Sequence, residues 1–247
     1  RLSKKLSDKL MAFTRKVNFP IAVRSSSLSE DSYMQPFSGV FDTYALPDSE
    51  DKKAFFERLV VAIKLVYASV YSEKARGYFK AINRKVEEER MAIVLQELIG
   101  NRHEHYFYPH ISGVAQSFNF YPVGHMKPEE GYSLAAIGLG KYVVEGWPAY
   151  RFSPAYPETE VYSPKELAKN SQVKFFALDY STESVDLMAG GEEATLALLD
   201  ISEAENHGNL RHCASIYDVD NDRLEVDFDL SGPRVVNFAN VLKYNYF

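Results

Sequence analysis

Two patterns of apolar residues alternate along this chain of 247 residues, and they constrain its possible folds more than any other feature of the sequence. Between residues 55 and 70, apolar side chains recur every three or four positions, which predicts a long helix with one buried face. Residues 21–23 and 91–95 are instead short, continuous apolar runs bounded by polar residues, and residues 173–178 are a similar run interrupted by Lys174, which is typical of buried strands. Because the two patterns alternate irregularly along the chain, the predicted fold class is α+β, that is, mixed α/β.

The flanking sequence predicts the remaining elements. The run that begins at Ile21 breaks into Arg24 and three serines, and a loop is expected from there to about residue 48. Asp48 or Ser49 is expected to cap the long helix. The other predicted elements are a helical stripe over residues 2–13, strands over 111–121 and 132–137, and helices from Ser163 and over 192–205.

Charge and cysteine content exclude several classes of protein. The chain has 28 Lys and Arg against 34 Asp and Glu, a net charge of −6, which argues against a nucleic-acid partner. A single cysteine, Cys213, excludes an internal disulfide and a cysteine-rich zinc site, and favours a reducing, cytoplasmic location. No apolar run approaches the roughly 18 residues of a membrane span, so no membrane partner is expected.

The strongest chemical signal is the arginine that follows the first apolar run. Arg24 and Ser25 would leave a buried strand together, and an arginine fork with hydroxyl donors suits phosphate oxygens. An ordinary ion pair with Glu30 or Asp31 explains the spacing equally well.

Two further segments have the residue types of a nucleotide site. Gly39 permits close approach of a ligand to the backbone, and Asp42 and Thr43 follow it, although a simple hairpin turn has the same pattern. Residues 96–99, which are Gln96, Glu97, Leu98 and Ile99, place two polar residues before two apolar ones at the end of a strand. This order suits an adenine-binding hinge and also an ordinary strand end.

Candidate metal ligands are weaker. Asp218, Asp220 and Asp222 resemble the start of a calcium-binding loop, but Arg223 stands where that loop needs glycine. His103 and His105 have no third ligand placed by the sequence. The prediction is therefore that residues 1–247 contain no metal site of their own.

Six segments, taken in order, resemble the N-terminal ATP-binding domain of the phosphoenolpyruvate synthase and pyruvate phosphate dikinase family. They are Pro20 to Asp31, Phe37 to Tyr44, Ala62 to Arg76, Met91 to Ile99, Ser112 to Ala115 and Gly138 to Gly146. The resemblance covers about residues 20–150, and the predicted division is a nucleotide-binding core over 1–150 with a family-atypical α/β segment over 151–247.

The resemblance implies an ATP-grasp-like domain that binds ATP with Mg²⁺ and passes a phosphoryl group to a histidine. That histidine would lie on a separate swivelling domain of the parent chain, which serves a further pyruvate and phosphoenolpyruvate domain; a homodimer is also possible in this family. Carried over to this sequence, Arg24 would hold the triphosphate and stabilise charge during transfer, with Ser25 beside it. Residues 39–43 would cover the phosphates, through Gly39, Asp42 and Thr43, and residues 96–99 would hold the adenine.

The chain also departs from the family pattern. Lys141 stands where the family usually has glutamate, the family's phosphate-binding lysine would precede residue 1, and its metal-binding acidic pair would follow residue 247. The chain is therefore expected to be a fragment, incomplete at both ends of the active site and inactive alone. Two alternatives remain: an inactive or regulatory nucleotide-binding or interaction module, and a phosphotransferase of the same family with another acceptor.

Overall fold

The computed structural model describes residues 2–27, 39–181, 185–227, 229 and 231–243. Within these residues the helices are α1 (Lys4–Thr14), α2 (Lys52–Ser69), α3 (Glu73–Ala81), α4 (Lys141–Val144), α5 (Pro164–Lys169), α6 (Leu187–Gly190), α7 (Ile201–Asn206), α8 (Leu210–Cys213) and α9 (Ala239–Leu242). The strands are β1 (Ile21–Ser27), β2 (Thr43–Leu46), β3 (Met91–Glu97), β4 (Asn101–His103), β5 (Tyr106–Tyr108), β6 (Ser112–Gln116), β7 (Tyr132–Ala136), β8 (Tyr150–Phe152), β9 (Lys174–Asp179), β10 (Leu196–Asp200), β11 (Ala214–Asp218), β12 (Arg223–Glu225) and β13 (Arg234–Val236).

The chain forms two compact units. The first unit consists of Arg1–Ile99 and Leu178–Ala197, and the second unit consists of Gly100–Ala177 and Leu198–Phe247. The chain therefore leaves the first unit, builds most of the second, and returns for a segment of about twenty residues.

An antiparallel sheet in the order β2-β1-β3 is the centre of the first unit, and α2 packs against it. The buried stripe of α2 includes Phe55, Leu59 and Val66, each fully buried, as its spacing predicts. Asp51 caps this helix by accepting the N–H groups of Lys53 and Ala54, so the helix begins slightly later than the sequence predicts.

Antiparallel sheets also organise the second unit, in the orders β6-β7-β8 and β12-β11-β13. A four-stranded sheet has the order β10-β9-β5-β4. The main core of this unit gathers Tyr108, Ile137, Phe175, Leu210 and Phe238. The predicted capping box is present at α5, where Ser163 and Glu166 each accept the other's backbone N–H.

The mixed α/β class is confirmed, but several local predictions are wrong. The loop predicted to about residue 48 contains strand β2, and the strand predicted over residues 111–121 ends at Gln116. Residues 24–27 continue strand β1 instead of starting a loop, because they pair with residues 91–94 of β3. The helix predicted over residues 192–205 is a strand, β10, followed by the short helix α7, which Asp200 caps through the N–H of Ser202. Strand pairing here outweighs the helix propensity of a leucine-rich segment. In the part of the chain that the structure describes, no helix has the length and apolar character needed to cross a membrane.

Candidate functional site

Three of the predicted site residues share one face of the sheet in the first unit. Arg24 lies directly opposite Thr43 on β2 and opposite Val94 on β3, and directly opposite residues present their side chains on the same face. Gln96 lies two residues beyond Val94 and therefore faces the same way. Arg24, Thr43 and Gln96 are all exposed, so this face is open to solvent and α2 does not cover it.

Arg24 reaches toward Gln96 along this face. Its Nη1 lies 3.5 Å from Gln96 Oε1, which is at the outer limit of a hydrogen bond. Within the described residues no carboxylate lies at ion-pair distance from Arg24, while Glu30 and Asp31, the alternative partners, lie outside them. An arginine in this setting retains most of its donors for an anionic ligand.

Ser25 and Asp42 point to the opposite face of the sheet. Ser25 is buried, since alternate residues of β1 face the core. Asp42 accepts a hydrogen bond from the buried Tyr44 hydroxyl at 3.3 Å, and its backbone N–H donates to Ser69 Oγ at 3.1 Å. Burial, together with the Asp42 charge and hydrogen bond, raises the pKa of Tyr44 to about 12. The structure thus does not bring these two side chains to Arg24, and their role in ATP binding stays a prediction.

Glu192 lies beside Thr43 of the candidate site, and the sequence alone does not predict this contact. Its Oε1 accepts the backbone N–H of Thr43 at 2.6 Å, across 149 residues of chain. Glu192 lies in the returning segment of the first unit, in a 3-10 turn over Gly191–Glu193. No local motif points to it, because only the return of the chain places it beside β2.

Residues 96–99 lie at the end of an outer strand. The backbone N–H of Leu98 donates to the Pro20 carbonyl at 2.9 Å, on the side of β1. In an antiparallel ladder the backbone groups of alternate residues point to opposite sides, so those of Glu97, the last residue of β3, point away from β1. As far as the structure describes the chain, no strand of this sheet lies beyond β3. The Ile99 side chain, 74% exposed, adds an apolar surface at this edge.

Gly39 opens the segment that leads into β2. Its φ of +72° lies in the left-handed region, where glycine is favoured over residues with a Cβ. The residues before it in the predicted phosphate-covering loop, Phe37 and Ser38, are outside the described residues.

Three histidines of the second unit, His103, His110 and His207, belong to one hydrogen-bonded network with Asn209 and Tyr108. The rings of His103 and His207 stack with centroids 4.9 Å apart, and Asn209 Nδ2 lies 2.9 Å from His103 Nε2. Burial, then the neighbouring His207 and His110, lowers the pKa of His103. Among the residues that the structure describes, no group of three or more His, Cys, Asp or Glu side chains has the arrangement of a metal site.

Lys141, the departure from the family pattern, has a local partner. It forms an ion pair with Glu145 at 2.6 Å, one turn later in the second unit, and its ammonium lies 5.7 Å from the Phe176 ring centre. Lys141 follows the glycine turn 138–140, in which Gly138 has a φ of +87°.

Comparison with known proteins assigns the family. Residues 1–204 match the family described as pyruvate phosphate dikinase, AMP/ATP-binding domain. The chain belongs to this family. The match extends beyond the residues that carry the six motifs, into the segment from 151 onward.

Two curated relatives match over about half of the chain. An uncharacterized phosphotransferase, YvkC, of Bacillus subtilis (strain 168) is 36% identical over 126 residues, which are 51% of this chain and 13% of that protein. The phosphoenolpyruvate synthase of Aeropyrum pernix (strain ATCC 700893 / DSM 11879 / JCM 9820 / NBRC 100138 / K1) is 32% identical over 127 residues, with the same two shares. The chain thus spans only about an eighth of the length of these relatives.

Proposed function

We propose that this chain is the ATP-binding portion of a dikinase of the phosphoenolpyruvate synthase type, with an ATP-grasp-like fold. Its parent would transfer a phosphoryl group from ATP to a histidine on a separate domain, on the way to pyruvate. The observation that carries the proposal is the shared open face of Arg24, Thr43 and Gln96 in a chain of this family.

The geometry supports a division of roles along the β2-β1-β3 sheet. Arg24 would bind the phosphates through charge-assisted hydrogen bonds, beside Thr43. The outward backbone groups of Glu97 would hydrogen bond the adenine edge, with the Ile99 side chain against the ring. Phosphoryl transfer needs mainly such positioning and stabilisation of charge by the protein. Magnesium would be held by the nucleotide phosphates together with carboxylates, the ligands it prefers.

Calorimetric titration of the chain with ATP in the presence of Mg²⁺ tests the proposed site. We expect saturable binding that Arg24→Ala weakens at least tenfold, because a charge-assisted hydrogen bond contributes about 1.5–3 kcal/mol. Arg15→Ala is the matched control, since Arg15 is an exposed arginine of the same unit. Equal ATP affinity in the wild type and in Arg24→Ala would remove Arg24 from the site.

Labelling with [γ-³²P]ATP tests the transfer step separately. The proposal places the accepting histidine on another domain, so the chain alone is expected to bind ATP without acquiring acid-labile phosphohistidine. Stable label on one of its six histidines would contradict this division of labour.

One observation favours the alternative, a regulatory nucleotide-binding module. The Glu192 carboxylate occupies the Thr43 N–H, a donor that a bound phosphate would also use. If Glu192 restrains nucleotide binding, Glu192→Gln should tighten ATP binding severalfold by removing a negative charge near the phosphates. Weaker binding in Glu192→Gln would instead make Glu192 a residue that positions β2.

A further inference from the structure

A small cavity in the second unit lies beside the end of the β6-β7-β8 sheet and is lined by none of the residues proposed to bind ATP. It has a volume of about 180 Å³ and is lined by Asn119, Tyr132, Arg151, Phe152, Ser153 and Val161, among others. Drug-sized sites occupy roughly 300–1,000 Å³, so an occupant of this cavity would be small.

Arg151 gives the cavity a fixed positive charge. One face of its guanidinium stacks on the Tyr132 ring, with Cζ 3.9 Å from the ring centre, and Nη2 donates to Asn119 Oδ1 at 2.7 Å. Among the described residues no carboxylate lies within ion-pair distance of Arg151. In the described part of the chain, the bond to Asn119 uses one of its five N–H donors, and the ring and Asn119 hold the guanidinium in place.

Ser153 provides a second polar group. Ser153 lines the cavity and is only 4% exposed, yet its Oγ has no hydrogen-bond partner among the residues that the structure describes. Buried hydroxyls are normally paired, and leaving one unpaired costs about 1–3 kcal/mol. The Oγ is closed to solvent in the observed rotamer, so rotation of the Ser153 side chain would bring the unpaired hydroxyl to an acceptor group held beside Arg151.

We propose that this cavity binds a small organic anion with a planar apolar body, such as an aromatic carboxylate. The anionic group would accept hydrogen bonds from Arg151 and Ser153. The planar body would pack against apolar residues of the lining, which include Phe152, Val161 and Met126. This is a ligand site distinct from the nucleotide site, and it needs no residue of the first unit.

Calorimetric titration of the 247-residue chain with benzoate tests the proposal. Benzamide and inorganic phosphate are titrated in the same way as comparison compounds. Benzamide has the shape of benzoate without its charge, and inorganic phosphate is an anion without an apolar body. We expect saturable one-to-one binding of benzoate and at least tenfold weaker binding of each other probe. Equal affinity for benzamide, equal affinity for phosphate, or no saturable binding of benzoate would each overturn the proposal.

Two variants locate the site. Arg151→Gln should weaken benzoate binding at least tenfold and Ser153→Ala severalfold, whereas Arg223→Gln, an exposed arginine of the same unit, should leave it unchanged. Amide chemical shifts of the wild type give a measurement that does not depend on the folding of a variant. Benzoate should shift the resonances of residues 119, 132 and 151–153, and shifts confined to other residues would refute the assignment.

Discussion

Residues of the candidate site lie on opposite faces of the sheet, because side chains alternate between the two faces along a strand. Along β1 and β2, Arg24 and Thr43 face solvent, whereas Ser25 and Asp42 face the buried side. Adjacent positions in one motif therefore differ in surroundings: one side chain is exposed and open to the proposed ligand, and its neighbour packs on the buried side of the sheet. The buried Tyr44, hydrogen bonded to Asp42, is an example of the second kind.

Tyr44→Phe tests this structural role. Loss of the hydrogen bond to Asp42 should lower the free energy of unfolding at pH 7 by about 1 kcal/mol. The folded-state pKa is raised to about 12, so the stability that Tyr44 contributes is complete below its unfolded pKa of about 10 and is lost toward pH 12. Urea unfolding between pH 8 and 12 should therefore show a smaller loss of stability in Tyr44→Phe than in the wild type.

The matched control is Tyr71→Phe. Tyr71 is 63% exposed, and its substitution should change the free energy of unfolding at pH 7 by less than about 0.5 kcal/mol. If Tyr44→Phe is as stable as this control at pH 7, and loses stability as steeply as the wild type above pH 10, the assigned role of Tyr44 is wrong.

At the scale of elements, the glycine motifs of the family act as packing positions in the second unit. A Cβ on Gly113 of β6 would lie 2.2 Å from the Leu134 carbonyl oxygen of β7, so this pair of strands requires glycine there. Gly138, in the turn after β7, combines a positive φ with a Cβ position 2.7 Å from the Phe176 carbonyl oxygen. Gly140, two residues later, has open space at the same position.

The turn yields a prediction with its own control. Gly138→Ala should lower the free energy of unfolding by at least about 1–3 kcal/mol, the cost of a left-handed backbone alone, with the contact to Phe176 in addition. Gly140→Ala, whose φ is −58°, should be neutral or stabilising by up to about 1 kcal/mol. Chemical denaturation of both variants checks this, and equal stabilities would show that the turn does not require glycine at 138.

At the scale of the whole molecule, the first unit is completed by residues distant in sequence. The returning segment 178–197 brings Leu187 into the core that contains Leu59 and Val66, and Thr195 donates to the Ala45 carbonyl of β2. Tyr180 likewise donates to Asp48, just before α2. The stability of the β2-β1-β3 sheet should therefore depend on this segment.

Leu187→Ala measures this dependence. Leu187 is 3% exposed, and truncation of a buried leucine costs about 2–5 kcal/mol. Met188→Ala, the adjacent position at 72% exposure, should change stability by less than about 0.5 kcal/mol. Fluorescence-monitored urea unfolding of the two variants decides the matter: similar stabilities would mean that the returning segment adds little to the first unit.

Local sequence determined most elements and the family. Apolar spacing predicted α2, β3 and β7, since burial of one face repeats at the period of each element. Six short motifs in order indicated the family that the match over residues 1–204 confirms. The domain division at residue 150 and the individual ligand roles stay predictions.

Only the tertiary structure decided which predicted site residues meet. Strand register places Arg24, Thr43 and Gln96 on one open face, and pairing with β3 makes residues 24–27 a strand where local composition predicts a loop. Glu192 at Thr43, Leu187 in the first core, and the cavity of Arg151 and Ser153 depend on contacts between residues far apart in sequence or on adjacent strands. Such contacts have no local period or motif, because they arise only when the chain closes on itself.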